Sequence, residues 1–339
     1  MIGPLRTMNA PHRTTLPTTM RRGEFWIVPE ETEGGARGAS HVRWGAPAEL
    51  TSHVPVVLVH GGGGQSLDWS LTPDGRPGWA HMLIDAGHPV YLPDRPGHGR
   101  SAYDRAVHGD ILARATPDDL QAVFAPGEDD PRFSAHTGWP WPRTLGHPEF
   151  NRLVAGTQPV LADIARSNHL DGKMLSTLLR EVGPAIVITH SAGAPAGWLA
   201  AEQVPELVAT LVAIEPIGPP GADLGVRGRL SFGLTASRPA TVDESICTVD
   251  IDRPPVLHGL ARVPVAVVSA DASGRDESCQ NTAAFLKRSG VDAEHIRLSD
   301  HGISGAGHGL IYERDHHRSL SVILRWIGQT LEMAQLPRP

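Results

Sequence analysis

Ser191 is the side chain best placed to act as a nucleophile. It stands in Ile186-Val187-Ile188-Thr189-His190-Ser191-Ala192-Gly193, where an apolar run meets a tight turn and small residues then begin a helix. Such a turn pushes a serine Oγ out of a sheet at a helix N-terminus, and its cramped backbone demands small neighbours, here Ala192 and Gly193. Thr189 replaces the first glycine of the usual G-x-S-x-G pattern; without its context, Ser191 would read as a helix cap, a position serine favours. The companion signal is His60-Gly61-Gly62-Gly63-Gly64. Acyl transfer passes through a tetrahedral oxyanion that needs preorganised N–H donors, and glycine lets a backbone turn its N–H groups inward without steric cost. The expected donor pair is the N–H groups of Gly62 and Ala192. The glycine run lacks the G-K-[ST] of a phosphate-binding loop, and no G-x-G-x-x-G opens a helix here.

A serine nucleophile needs a base, and with 18 histidines in the chain only context can select it. His308 lies in Gly305-Ala306-Gly307-His308-Gly309, a small-residue loop between a strand at His295 to Leu298 and the amphipathic C-terminal helix. His301 is its main rival. His98, within the turn Asp94 to Ser101, reads as a loop residue, and His316-His317 as solvated surface at a charged helix start. The third member, an acid, has two candidates. Glu215 ends the apolar run Leu211-Val212-Ala213-Ile214 and precedes Pro216; Asp271 follows Val267-Val268-Ser269. Adjacent strands lie ~4.8 Å apart, so a loop histidine could meet either. A carboxylate at the end of an apolar run is costly to bury unpaired, which favours a role for Glu215.

These residues must be carried by elements that converge. Short apolar runs recur at Val54 to Val59, Pro89 to Leu92, Ala185 to Thr189, Leu207 to Ile214 and Val263 to Ser269. Two earlier strands are expected at Phe25 to Val28 and His41 to Trp44. Continuous apolar runs mark strands buried on both faces. Helical patterns lie between them at Trp79 to Ala86, Val160 to Ile164 onward, Ala192 to Gln203, Asp276 to Ser289 and His317 to Met333. The alternation predicts an α/β fold with a mostly parallel central sheet flanked by helices on both faces. Two Pro- and Gly-rich stretches, about 103–158 and 218–257, interrupt it and are expected to be irregular cap insertions over the carboxyl edge of the sheet. Trp139, Trp141, Phe150 and Phe232 would either line an apolar pocket there or simply pack.

The chain of 339 residues is expected to be a domain over 21–335 behind a flexible leader, 1–20. Hydrophobic residues make up 40% and the net charge is −7, a balance that gives no reason to expect binding to nucleic acid. The N-terminus lacks the roughly 7–15-residue apolar stretch of a secretory signal, and no run reaches the ~18 residues of a membrane span. A cytoplasmic protein with no membrane partner is therefore expected. Cys247 and Cys279 are far apart and read as free, partly buried thiols. No metal or organic cofactor is required. A small-molecule ester or lactone is the expected partner, and homodimerisation is left open.

Together these residues resemble the α/β-hydrolase superfamily, and more narrowly a group of bacterial carboxylesterases whose acid is a Glu after the sixth strand. The resemblance runs from about Gly23 to Gln329. It is carried by Val59-His60-Gly61, Trp69, Thr72-Pro73-Asp74-Gly75-Arg76, Gly97 to Ser101, His190-Ser191, Val212 to Pro216, and His308 with the helix to Trp326-Ile327. It implies a Ser191, Glu215 and His308 triad, with oxyanion donors at Gly62 and Ala192. Gly62-Gly63 stand where those esterases carry paired cysteines, and the segments Tyr103–Pro159 and Gly218–Leu260 depart most from them. The rival reading keeps the scaffold as a small-molecule binding protein with little turnover.

Overall fold

The structure is a computed structural model that describes residues 19–335 apart from 29–30, 33–34, 50–52, 221, 223, 225–229 and 231–255. Residues 1–18 of the expected leader, most of the stretch 218–257, Cys247 and Phe232 lie outside the described residues, and Met20, the last residue of that leader, already belongs to the first strand. Eight strands form one sheet: β1 (Met20–Ile27), β2 (Ser40–Pro47), β3 (Val56–Val59), β4 (Val90–Pro93), β5 (Ala185–His190), β6 (Val208–Ile214), β7 (Val265–Ser269) and β8 (Ala293–Arg297). Their order is β1-β2-β4-β3-β5-β6-β7-β8. The first two run antiparallel at one edge, and the pairs from β4 onward are parallel. A small hairpin pairs Glu31–Thr32 with Gly35–Ala36 between β1 and β2.

Strand side chains alternate between faces with a period of two, so each apolar run feeds two cores. Leu58, Ile186, Ile188, Val212 and Val268 pack against helices α1 (Trp79–Asp85) and α8 (His316–Gln335). Val57, Val59, Val187, Leu211 and Val267 face α5 (Ile164–Val182), α6 (Ala194–Gln203) and α7 (Asp276–Arg288). An ideal Cβ on Gly172 of α5 would lie 2.6 Å from Leu199 Cβ of α6, so only glycine permits these two helices their close approach. Cys279 is a buried free thiol whose pKa is pushed up by burial.

The stretch 103–158 is not irregular throughout. It contains α2 (Arg105–His108), α3 (Pro117–Phe124) and α4 (Pro148–Gly156). Thr116 and Asp119 form a capping box at α3, and α3 and α4 both begin on proline, whose fixed φ suits a first helical turn. These start signals were present in the sequence, obscured by the surrounding Pro and Trp. His316 corrects another expectation: it is 3% exposed, because it falls on the buried side of α8, while His317 is exposed. Burial, with Arg76 adding to its effect, brings the His316 pKa down to about 4.

Candidate active site

Parallel strands leave their carboxyl ends along one edge, and the order β3-β5-β6-β7 places the ends of four apolar runs side by side there. Among the described residues, Ser191 and Glu215 are the two non-glycine residues with positive φ, at 51° and 43°. Ser191 follows a fully buried strand, β5, and Glu215 follows β6, buried at every position but Ala209. Holding such a conformation costs about 1–3 kcal/mol, so the surroundings must impose it. The Ile217 N–H donates to the Ser191 carbonyl (3.0 Å), and the Glu215 N–H donates to the Val268 carbonyl (2.8 Å). Behind Ser191, a Cβ on Gly193 would sit 2.4 Å from the His60 carbonyl oxygen and 3.0 Å from that of Val59. Gly193→Ala should therefore push the elbow away from β3 and cost about 1–3 kcal/mol. A denaturant midpoint equal to that of the unsubstituted protein would show that the contact is not tight.

The two strained residues meet on one imidazole. His308 Nε2 lies 3.0 Å from Ser191 Oγ, and His308 Nδ1 lies 2.8 Å from Glu215 Oε2. Glu215 is fully buried, and its other oxygen accepts hydrogen bonds from the Ala270 N–H (2.9 Å) and the Ser273 hydroxyl (2.7 Å). Burial pushes the Glu215 pKa up, and the donors from Ser273 and Ala270 oppose that rise. Burial holds His308 well below the usual imidazole pKa, with Arg275 and Arg132 adding to the effect. The ring is therefore neutral near pH 7 and has a lone pair with which to accept a proton. Asp271 takes a different place: it is exposed, and its Oδ1 accepts the Gly305 N–H at 2.8 Å. His301 is exposed at the end of a short turn. His98 is a buried loop residue packed on His60.

The glycine run after β3 is held from behind. The Arg95 N–H donates to His60 Nε2 (2.9 Å), which leaves His60 Nδ1–H to donate to the Gly61 carbonyl (2.9 Å). The Arg95 guanidinium donates to the same carbonyl (3.1 Å) and is itself paired with buried Asp171 (2.5 Å). In a trans peptide the next N–H points opposite to that carbonyl. Gly62 N–H is thus turned away from the His60 and Arg95 anchor. A Cβ added to Gly62 would lie 3.3 Å from the Ala192 Cβ, so the two expected donors are neighbours.

A pocket of about 40 Å³ opens beside Ser191, walled by Gly61, Gly62, Asp68, Phe124, Leu153, His190 and Tyr312. Several of these carried no sequence signal. Phe124 stacks on His308 at 5.5 Å between ring centroids, whereas Trp139, Trp141 and Phe150 are buried in the core and simply pack. Asp68, hydrogen-bonded to the Tyr312 phenol and the Gln65 N–H, has its pKa pushed up to about 7 by burial. His190 Nε2–H donates to the His308 carbonyl (3.0 Å), tying the elbow to the histidine loop. Only tertiary contact identifies these residues, since no short spacing relates them.

No established family profile matches the chain. It is 33% identical over 305 residues to the probable secreted lipase phiG of a fungal species (strain ATCC 74256), an alignment covering 83% of each chain. Among solved structures it matches one described as a novel bacterial esterase, with a TM-score of 0.68, 20% identity, and coverage of 94% of this chain and 98% of that one. The first match overturns the expectation of a cytoplasmic protein, because the relative is named as secreted. That expectation rested on the missing apolar segment alone, which is a weaker observation than similarity along most of the chain. The solved esterase shares the fold, and similarity of this extent to the lipase reflects common descent: the chain belongs to the esterases and lipases of the α/β-hydrolase superfamily and is a carboxylic ester hydrolase.

Proposed function

We propose that the chain cleaves small carboxylic esters, lactones included, through an acyl-enzyme formed on Ser191. The observation that carries this reading is the continuous hydrogen-bonded relay from Glu215 through His308 to Ser191, built on two backbone positions held against their preference. His308 takes the Ser191 proton as Oγ attacks the carbonyl, and Glu215 orients and stabilises the imidazolium. The N–H groups of Gly62 and Ala192 receive the oxyanion. His308 then returns the proton to the leaving alcohol, and water, activated by the same base, releases the acid. The insertion 103–158 is the proposed cap. Phe124 and Leu153 wall the pocket, and the Gln158 N–H donates to the Gly63 carbonyl (2.8 Å).

The test is inactivation by a p-nitrophenyl alkylphosphonate, followed by peptide mass mapping across a range of pH. One adduct on Ser191 is expected. Because burial lowers the His308 pKa below the ordinary 6.5, the inactivation rate should be flat near neutrality and fall only at pH values below 6.5, as the base is protonated. An adduct on another residue would remove Ser191 from the mechanism. An acid limb lying above 6.5 would contradict the neutral, buried base.

A further inference from the structure

A second buried histidine–carboxylate pair lies behind the first. His136, carried by the 103–158 insertion, places Nε2 2.9 Å from Glu313 Oε1, and the two side chains are 1% and 2% exposed. Both Glu313 oxygens lie 3.0 Å from the N–H of Gly307, the residue before His308. The fit is close: a Cβ on Gly307 would lie 2.5 Å from His136 Nε2, and one on Gly138 2.5 Å from Glu313 Oε2. Around this pair the insertion and the histidine loop share backbone bonds, Gly138 N–H to the Gly305 carbonyl (2.7 Å) and Arg314 N–H to the Gly138 carbonyl (3.0 Å). Arg76, paired with Asp74 at 2.8 Å, donates to the Glu313 carbonyl (2.9 Å) and the Tyr312 carbonyl (2.5 Å). The turn Thr72 to Arg76, which the proposed chemistry does not use, thereby anchors the segment that carries Glu313.

A carboxylate removed from water is costly unless it is paired and hydrogen-bonded. Here its bonds converge on one backbone N–H next to the proposed base. We propose that Glu313 and His136 are positioning residues for His308: the carboxylate fixes the Gly307 N–H and so the His308 backbone, and His136 completes the carboxylate from the insertion. This rests on the Ser191–His308 reading above. The insertion is therefore part of the apparatus that aligns the base, in addition to walling the pocket.

Misplacing a reacting group by about 1 Å costs on the order of 10²-fold in rate. His136→Leu and Glu313→Gln should each lower kcat per titrated Ser191 by roughly that factor, with KM changed less than about threefold. Titration with the phosphonate counts only sites that can react, so a loss confined to folding would lower the titre and leave kcat per site unchanged. His136→Gln, which can return an amide N–H to Glu313, should recover most of the kcat. Should the leucine variant fail to fold, Glu313→Asp, one methylene short of Gly307, replaces it and should also lower kcat per site. Wild-type kcat per site in Glu313→Asp and Glu313→Gln, or a change in KM alone, would overturn the proposal. Loss of the Ser191 adduct in the unsubstituted enzyme would instead overturn the triad reading, so the two failures are distinguishable.

Discussion

Ser191→Ala is expected to lower kcat on p-nitrophenyl esters by about 10⁶-fold, because nucleophile and base act as a unit and neither works alone. A residual acceleration of about 10³–10⁴ over water would remain from the oxyanion donors and substrate binding. Alanine can take the same backbone position, since the elbow is imposed by the bonds at Ile217 and the contact behind Gly193, not by the hydroxyl. The denaturant midpoint should therefore hold while activity vanishes. Steady-state rates with equal, folded concentrations of both proteins decide the matter. Activity within tenfold of the unsubstituted enzyme would end the assignment, and stoichiometric ester binding with no turnover in the unsubstituted protein would restore the binding-protein reading.

Glu215→Gln should lower kcat by about 10⁴-fold, through the tautomer of His308. The two donors at Oε1, Ala270 N–H and Ser273 hydroxyl, require an oxygen there. The amide must then turn its NH₂ toward His308 Nδ1. That nitrogen can accept only if the ring proton moves to Nε2, where it faces Ser191 Oγ and cannot receive a proton. The opposite amide orientation would bury NH₂ against the Ala270 N–H, which can only donate, a worse arrangement. Asp271→Asn removes a charge but keeps the oxygen that accepts the Gly305 N–H, so its effect on kcat should stay below about tenfold. Measuring both variants on one substrate separates the candidates. A large loss in Asp271→Asn with near-normal activity in Glu215→Gln would move the acid to position 271.

Much of this organisation was legible along the chain. The apolar runs at 185–189 and 207–214 became strands 185–190 and 208–214, because a strand buried on both faces can tolerate little else. Gly305 to Gly309 singled out His308 among 18 histidines because small residues let an imidazole reach inward, and its Nε2 lies 3.0 Å from Ser191 Oγ. Other parts were not legible. His316 looked like surface from its charged neighbours, yet it falls with Ser319 and Leu320 on the buried side of α8, while His317 and Arg318 face solvent. Trp139 and Trp141 were conspicuous and merely fill the core, while Phe124, an ordinary helix residue, stacks on His308.

By itself the sequence determined the residue types, their chain order and the turns that present them, because a strand, a cramped bend and a glycine run are local consequences of steric size and apolar period. Only the tertiary structure decided which carboxylate meets the imidazole. Glu215 and Asp271 end neighbouring strands, and the difference between them is a few ångströms of placement: one oxygen 2.8 Å from Nδ1, the other spent on a loop N–H. Likewise His136 meets Glu313 across 177 positions of chain. Contacts of that kind depend on how separated segments pack, and no local spacing encodes them.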